Sequence, residues 1–522
     1  MAKVAIVGAG ASGLCALKCC LDEGLEPTCF ERSRFIGGLW RFEHPEEGRA
    51  SIYRSVIINT SKEMMCFSNF PIPEDFPNYM IMEYFRMYAQ HFDLLHHIRF
   101  RTSMCRVSKR PDFAATGQWE VVTESEGKQE AAVFDAVLVC TGHHTEAHLP
   151  LNTFPGLEKF EGWYLHSRDY KSPQSFSGKR VVVVGSGNSG IDIAVELSQA
   201  TEQVFLSTKR GTWVLHRVAD GGYPFDFSYL SRFTQLFQSL LPQKAISFLL
   251  ERKLNARFDH ELYGLPSRFL DQHPTINDDL PNRIISGRVL VKPNIQEFTE
   301  TSAIFEDGTR EDIDAVVFAT GYTFSFPFLE GCVNVNGQAV RNRGRHRPCH
   351  CHPCAHLPNL PALPAHRYVK SQRHTIQVDY IPYMDELACQ VGVKPNLLTL
   401  FLSDPKLALE VAFGPCTPYQ YRLRGPGKWA GARDAILTQR QRIIKPLQTR
   451  HVEEHLSAPS MPLLFKLVGA VAVLAIAASA LLSRLQILMS PLREEAQAGG
   501  VAWQRGEPVD HNWKKHILRQ PS

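Results

Sequence analysis

The stretch Val4-Ala5-Ile6-Val7-Gly8-Ala9-Gly10-Ala11-Ser12-Gly13 decides the fold. Four apolar residues read as a buried strand, a G-x-G-x-x-G turn follows, and 14–20 can form a helix. The glycines of such a turn allow tight reversal, close backbone approach to a pyrophosphate, and close helix–strand packing. The helix N-terminus then offers the phosphates its free N–H groups and the positive end of its dipole. One such motif is a weak signal. A second stands at Gly185-Ser186-Gly187-Asn188-Ser189-Gly190, after Val181-Val182-Val183-Val184 and before a helix-compatible 191–200. Two dinucleotides in one chain imply electron transfer between them.

The end of each following strand separates the two nucleotides. Glu31 closes Pro27-Thr28-Cys29-Phe30. An acid there accepts hydrogen bonds from a ribose diol and repels a 2′-phosphate, so the first site suits FAD or NAD. The same offset from Gly185 reaches Thr208, followed by Lys209 and Arg210, after Val204-Phe205-Leu206. Hydroxyl and cations there suit the 2′-phosphate of NADP. The bland alternative is a pair of solvated loop charges.

Composition narrows the class. The chain has 522 residues, 44% hydrophobic and 21% charged, as in ordinary globular proteins. A net charge of +4 is too small, and too dispersed, to argue for nucleic acid, and none is expected as a partner. The 13 cysteines are odd in number; Cys15, Cys19, Cys20, Cys29 and Cys140 sit in predicted elements and read as free thiols of a reducing compartment. Strand one begins at Lys3, so no cleavable signal peptide fits. The uncharged run 467–483, between Lys466 and Arg484, suits a short membrane span; a buried core helix is the alternative. No metal site is expected. A homo-oligomer is compatible with the sequence, which carries no signal for its order.

The predicted architecture is α/β: two Rossmann-like dinucleotide-binding domains plus a C-terminal hydrophobic helix. Residues 1–155 form the first part of the first domain and 156–330 the second, inserted domain. Each ends on a matching strand, Ala136-Val137-Leu138-Val139-Cys140 and Ala315-Val316-Val317-Phe318, that runs into Thr-Gly. Residues 331–376 are rich in Pro, Arg, Cys and His and keep no helix or strand period. The return to the first domain is placed at 377–455, a membrane-anchoring helix at 461–489 and a polar tail at 490–522.

The stretch Phe160-Glu161-Gly162-Trp163-Tyr164-Leu165-His166-Ser167-Arg168-Asp169-Tyr170 matches F-x-G-x-x-x-H-x-x-x-[FY], the signature of the flavin-containing monooxygenases. Phe30-Glu31-Arg32-Ser33, Gly37-Gly38-Leu39-Trp40, Phe318-Ala319-Thr320-Gly321-Tyr322 and Gly425-Pro426-Gly427-Lys428-Trp429 also resemble that family. The resemblance covers about 1–330 and 377–450 and is to the mammalian microsomal members, nearest the type 1 form. It implies FAD and NADP as cofactors, O₂ as co-substrate, and oxygenation of small-molecule amines and sulfides through a C4a-hydroperoxyflavin. It also implies attachment to the endoplasmic reticulum membrane with catalytic domains in the cytosol.

Site residues carry over one at a time. The resemblance implies that Gly8, Ala9, Gly10, Ala11, Ser12 and Gly13 cradle the FAD pyrophosphate, that Glu31 holds its ribose, and that Leu39 and Trp40 pack beside it. Ile58, Asn59 and Thr60 align with the segment beside the flavin ring, with Asn59 the catalytic residue. Gly185, Gly187, Ser189, Gly190, Ile191 and Asp192 open the NADP helix, with Thr208, Lys209 and Arg210 at the 2′-phosphate. His166 reads as a structural link rather than a base.

Four other readings compete, one of them a Baeyer–Villiger monooxygenase, which Tyr170 at the end of the signature disfavours without excluding. Cys351-His352-Pro353-Cys354 suggests a disulfide reductase, but redox cysteines need an ordered element beside the flavin. Cys349, Cys351, Cys354 and their neighbouring histidines suggest a metal, without a second clean pair. A different class is a catalytically impaired, membrane-bound variant, because 331–376 departs from the family and is shorter than its counterpart there.

Overall fold

The computed structural model describes residues 1–42, 50–77, 80–265, 274–323, 325–329 and 379–450. The chain divides into a compact unit, Met1–Thr449, and a second, Arg450–Ser522, which beyond Arg450 lies outside the described residues. The Pro/Arg/Cys/His segment, the 461–489 run and the 490–522 tail therefore lie outside them as well.

Two parallel sheets organise the compact unit. The first runs, in spatial order, Ile98–Arg99, Glu26–Phe30, Lys3–Val7, Ala136–Val139. The second runs Val289–Lys292, Gln203–Ser207, Arg180–Val184, Ala315–Phe318, Trp163–His166. Parallel strands are covered on both faces, which is why they appear in the sequence as unbroken apolar runs. Val181, Val182 and Val183 are all fully buried: Val181 and Val183 join one core with Ile191, Leu197 and Val289, and Val182 joins another with Phe205, Phe298 and Phe318. The architecture is thus mixed α/β with Rossmann-like parallel sheets.

Register brings the glycine turns and the strand ends together. Val7 pairs with Phe30 and with Val139, so Gly8, Glu31 and Cys140 emerge side by side at the carboxyl edge. In the second sheet Val184 pairs with Ser207 and Phe318, so Gly185, Thr208 and Ala319 do the same. Ligands of open parallel sheets bind at that edge.

The glycine helices span Ala11–Asp22 and Asn188–Leu197, each starting three residues earlier than its apolar pattern suggests. Gly10 and Gly187 are the N-caps, in extended conformation, so the last part of each motif is already helical. Two antiparallel three-stranded sheets left no mark on the sequence reading: Thr102–Lys109, Trp119–Ser125, Lys128–Phe134, and Ile295–Phe298, Ser302–Phe305, Arg310–Asp312.

Residues after 379 close the first core. Leu407 and Val411 of helix Pro405–Phe413, Tyr419, and Ile436 of helix Ala432–Ile444 join Val4, Ile6, Leu14 and Leu17 in one apolar cluster. Cys15, Cys19, Cys20, Cys29 and Cys140 are free thiols. Among the described residues there is no candidate metal cluster, and no helix is long and apolar enough to cross a membrane.

Candidate functional site

Each glycine motif divides its labour in space. Gly8 and Gly185 have φ of 100° and 112°, the left-handed region where a side chain is strained. A Cβ on Gly13 would lie 1.8 Å from the Gly8 carbonyl oxygen, and one on Gly190 would lie 2.0 Å from that of Gly185. These third glycines let the helix touch the strand turn. The middle glycines face outward. A Cβ on Gly187 would meet nothing within 4 Å, and one on Gly10 nothing nearer than the Gly38 Cα at 3.7 Å. Each turn is thus a cradle with a bare backbone floor, which fits a pyrophosphate.

Glu31 stands where the first motif requires it. It is buried; its Oε2 accepts the Ala9 N–H at 2.8 Å, and Oε1 accepts the Ser33 N–H and hydroxyl at 2.9 and 2.7 Å. Leu39 and Trp40 lie on the short turn Gly38–Trp40, hooked to the cradle by Gly37 N–H donating to the Ala9 carbonyl at 3.0 Å.

The second site has the matching parts. Thr208 is buried, its hydroxyl 2.9 Å from that of Ser186 in the glycine turn. Lys209 and Arg210 beside it are exposed and form no hydrogen bond or ion pair among the described residues. Ser189 is half-buried in the helix's first turn; Ile191 lies wholly in the core, and its N–H is taken by the Gly187 carbonyl at 3.0 Å. Asp192 is engaged by protein: its carboxylate accepts the Tyr53 hydroxyl at 2.7 Å and the Asn277 amide at 2.8 Å. Desolvation raises this carboxyl above its ordinary value against the pull of those two bonds.

Tyr53 belongs to the segment that follows Trp40, so its bond to Asp192 docks that segment on the second glycine helix. Ser55 repeats the contact on Glu196 at 2.7 Å. The segment continues to Ile58, which is buried, and to Asn59 and Thr60, which are half-buried. The Asn59 side-chain oxygen accepts from Arg217 Nη2 at 3.3 Å, and the Ile58 carbonyl from Arg217 Nε at 3.4 Å. Beyond them, Ser61 gives its N–H (3.0 and 3.1 Å) and hydroxyl (2.5 Å) to Asp226, a fully buried carboxylate. Lys62 is equally buried and donates to the carbonyls of Pro73, Glu74 and Phe76 at 3.0, 2.7 and 2.8 Å. Burial pushes its amine down to about 8, with Glu63 opposing. Arg217, Asp226 and Lys62 escaped the sequence reading, since no motif or period marks them.

Phe160, Gly162, His166 and Tyr170 of the signature stretch all make packing or hydrogen-bond contacts. His166 Nε2 lies 3.0 Å from the Gly321 carbonyl, and its Nδ1 accepts the Arg168 N–H at 3.1 Å. These partners require a neutral ring with its proton on Nε2, and burial lowers its pKa to about 4, so the ring stays neutral at physiological pH. A Cβ on Gly162 would strike the Phe160 ring at 2.3 Å and the Asp314 carbonyl oxygen at 2.6 Å. Tyr170 is buried and donates to Glu196 at 3.0 Å.

Two glycine cradles, one beside a buried acid and the other beside two exposed cations, fit an oxidoreductase that uses two dinucleotides. The chain matches the model of the flavin-binding monooxygenase-like family over residues 1–342 and 363–483, and it belongs to that family. It is 56% identical to flavin-containing monooxygenase 5 of Homo sapiens, over 91% of this chain and 98% of that one. The same protein of Oryctolagus cuniculus gives the same figures. It is 49% identical to dimethylaniline monooxygenase (N-oxide-forming) 2 of Mus musculus, over 90% and 97%. The family match skips 343–362, inside the Pro/Arg/Cys/His segment, and resumes beyond it. The protein is an NADPH-dependent flavin monooxygenase with FAD and NADP as cofactors; these relatives lend no support to an inactive variant.

The geometry separates two glycines of one motif. Gly190→Ala must force helix from strand and lowers stability by roughly 2 kcal/mol or more. Gly187→Ala adds a methyl to open space and leaves the melting temperature without NADP⁺ near wild type, while NADP⁺ affinity collapses. Thermal melts and NADP⁺ titrations of both variants check this; equal melting losses would contradict it.

Proposed function

We propose that this chain oxygenates soft nucleophilic nitrogen and sulfur atoms of small-molecule amines and sulfides, forming N-oxides and S-oxides with NADPH and O₂. The relatives' names support the nitrogen half of this reading directly. Residues 1–155 and 377–455 would make the FAD domain, with 156–330 the inserted NADP domain. When bound, FAD takes electrons from NADPH and activates O₂ on its ring. The protein's task is to bind, orient and shield.

The observation that carries the residue assignment is the docking of 50–61 on the second glycine helix. It lets one loop, centred on Asn59, reach from the FAD cradle to the NADP unit. Gly8 to Gly13 would hold the FAD pyrophosphate and Glu31 the ribose, with Leu39 and Trp40 alongside. Gly185, Gly187, Ser189 and Gly190 would hold the NADP pyrophosphate, with Ile191 and Asp192 packing and tying down the helix behind them. Thr208, Lys209 and Arg210 would take the 2′-phosphate. Asn59 would donate its amide N–H to the flavin ring and the nicotinamide, keeping the reaction centre closed to water. His166, neutral and doubly bonded, has no part in proton transfer.

Attachment to the endoplasmic reticulum membrane through 461–489, with the catalytic domains in the cytosol, is part of the proposal. The uncharged run at 467–483 and the free thiols support it. Cutting the chain before Met461 is expected to allow extraction by salt or carbonate; a truncated protein still needing detergent would refute a tail anchor.

Two variants test the site. Replacing Lys209 and Arg210 by alanine is expected to raise KM for NADPH about tenfold or more and KM for NADH little, since each contact to the phosphate is charge-assisted. Equal losses for both coenzymes would remove the assignment. Asn59→Ala is expected to keep FAD and its reduction by NADPH, yet release more hydrogen peroxide per NADPH consumed. A variant that fails in flavin reduction while keeping tight coupling to product would show that Asn59 serves hydride delivery instead.

A further inference from the structure

We infer that Arg217, held by Asp278, is a positioning residue that fixes which end of the Asn59 amide faces the cofactors; this deepens, and rests on, the reading of Asn59 given above. A side-chain amide has a donor end and an acceptor end of nearly equal shape, and an unrestrained Asn can present either. Arg217 breaks that symmetry. A guanidinium only donates, so the Asn59 oxygen must face it, as its 3.3 Å contact shows. The reversed amide would set an NH₂ group against the donor fork. With the oxygen engaged, Nδ2 points the other way and makes no hydrogen bond among the described residues.

The arginine is itself aimed. It follows Val214–Leu215, a strand paired in parallel with Thr275–Ile276, and this pairing brings Arg217 to Asp278. The Asp278 carboxylate accepts the Arg217 and Val218 N–H groups at 3.2 and 3.3 Å and sits 3.7 Å from Arg217 Nη1. Burial works to raise the Asp278 carboxyl, but His216, Val218 and Arg217 outweigh it and hold it below its ordinary value. Arg217 is mostly shielded and spends its remaining donors on the loop.

The backbone of that loop is secured separately. Asp226 clamps Ser61, and Tyr53 and Ser55 bind the second glycine helix upstream. Arg217 adds one bond to that backbone, at the Ile58 carbonyl, and its other bond to the loop is to the Asn59 side chain, whose rotation it restrains. Loss of Arg217 therefore misorients an amide within a loop that is still folded. The consequence is specific: leakage of hydrogen peroxide rises while the cofactor sites stand.

A double-mutant cycle on the full-length holoenzyme tests this, with Asn59→Ala, Arg217→Ala and the pair. The readouts are hydrogen peroxide per NADPH consumed, FAD per chain, and the NADP⁺ dissociation constant read from the flavin absorption spectrum. Arg217→Ala is expected to raise the peroxide ratio and weaken NADP⁺ by about as much as Asn59→Ala, at unchanged FAD content. The double variant is expected to be no worse than Asn59→Ala alone. Arg217→Lys, which retains one cationic donor, is expected to recover part of the coupling. Should the alanine variant fail to accumulate, Arg217→Gln carries the same cycle. Additive effects, or lost FAD with normal coupling per bound flavin, would overturn the positioning role. If Asn59→Ala leaks and Arg217→Ala does not, only the inference on Arg217 fails. If Asn59→Ala is silent, the reading of Asn59 fails and takes the inference with it.

Discussion

The contact on which the structure depends is the approach of each glycine helix to its own strand turn. Gly13 and Gly190 leave no room for a methyl group against the carbonyls of Gly8 and Gly185. That contact sets the helix start and the cradle between helix and strand. In each unit the strand after the helix returns parallel to the first. Strand register then brings Glu31 and Thr208 to equivalent places beside the two cradles. One geometry thus serves both sites, with an acid beside the first cradle and a hydroxyl followed by two cations beside the second.

What was legible in the sequence was local. An apolar run, a glycine spacing and one residue at a fixed offset all sit within one strand–helix–strand unit. Hence both sheets' central strands and both cradles could be read directly. The helix starts were misplaced by three residues because apolar periodicity begins only where side chains meet the core, whereas Gly10 and Gly187 cap the helices by backbone conformation alone. Both antiparallel sheets were missed. Their strands mix exposed and buried positions, as in Lys128–Phe134, where the first four residues are exposed and Phe134 is buried, or are as short as Ser302–Phe305. Arg217, Asp226 and Lys62 were invisible for a different reason. Each acts on a loop far away along the chain or on backbone carbonyls, and a lone charged residue in sequence gives no sign that it will be buried.

The signature motif teaches a related point. Phe160, Gly162, His166 and Tyr170 identify the family, and in the fold all four pack or staple. Phe160 and Tyr170 are buried, Gly162 lets Phe160 approach the sheet, and His166 ties its strand to the turn after Phe318. A histidine in a signature invites a catalytic role. Here both ring nitrogens are already engaged, and burial lowers its pKa to about 4. The motif's strand, Trp163–His166, forms the edge of the second sheet beside Ala315–Phe318.

The remaining question is how two cradles on separate sheets serve one reaction. Chemistry that hands electrons from one nucleotide to another needs them held in a fixed relation, since misplacement of about 1 Å is costly. The fold meets this with polar staples. Tyr53 binds Asp192, Ser55 and Tyr170 both bind Glu196, and Lys171 donates to the carbonyl of Ser51 at 3.2 Å. These join the segment leading out of the first site to the helix of the second. The Ser61–Asp226 and Asn59–Arg217 contacts extend the seam to the loop itself. Apolar packing would hold the surfaces together yet tolerate sliding; directed bonds such as those of Tyr53 and Ser55 to the half-buried carboxylates of Asp192 and Glu196, both 2.7 Å, do not. The relative placement of the two nucleotides is therefore written in hydrogen bonds across this seam rather than in either core.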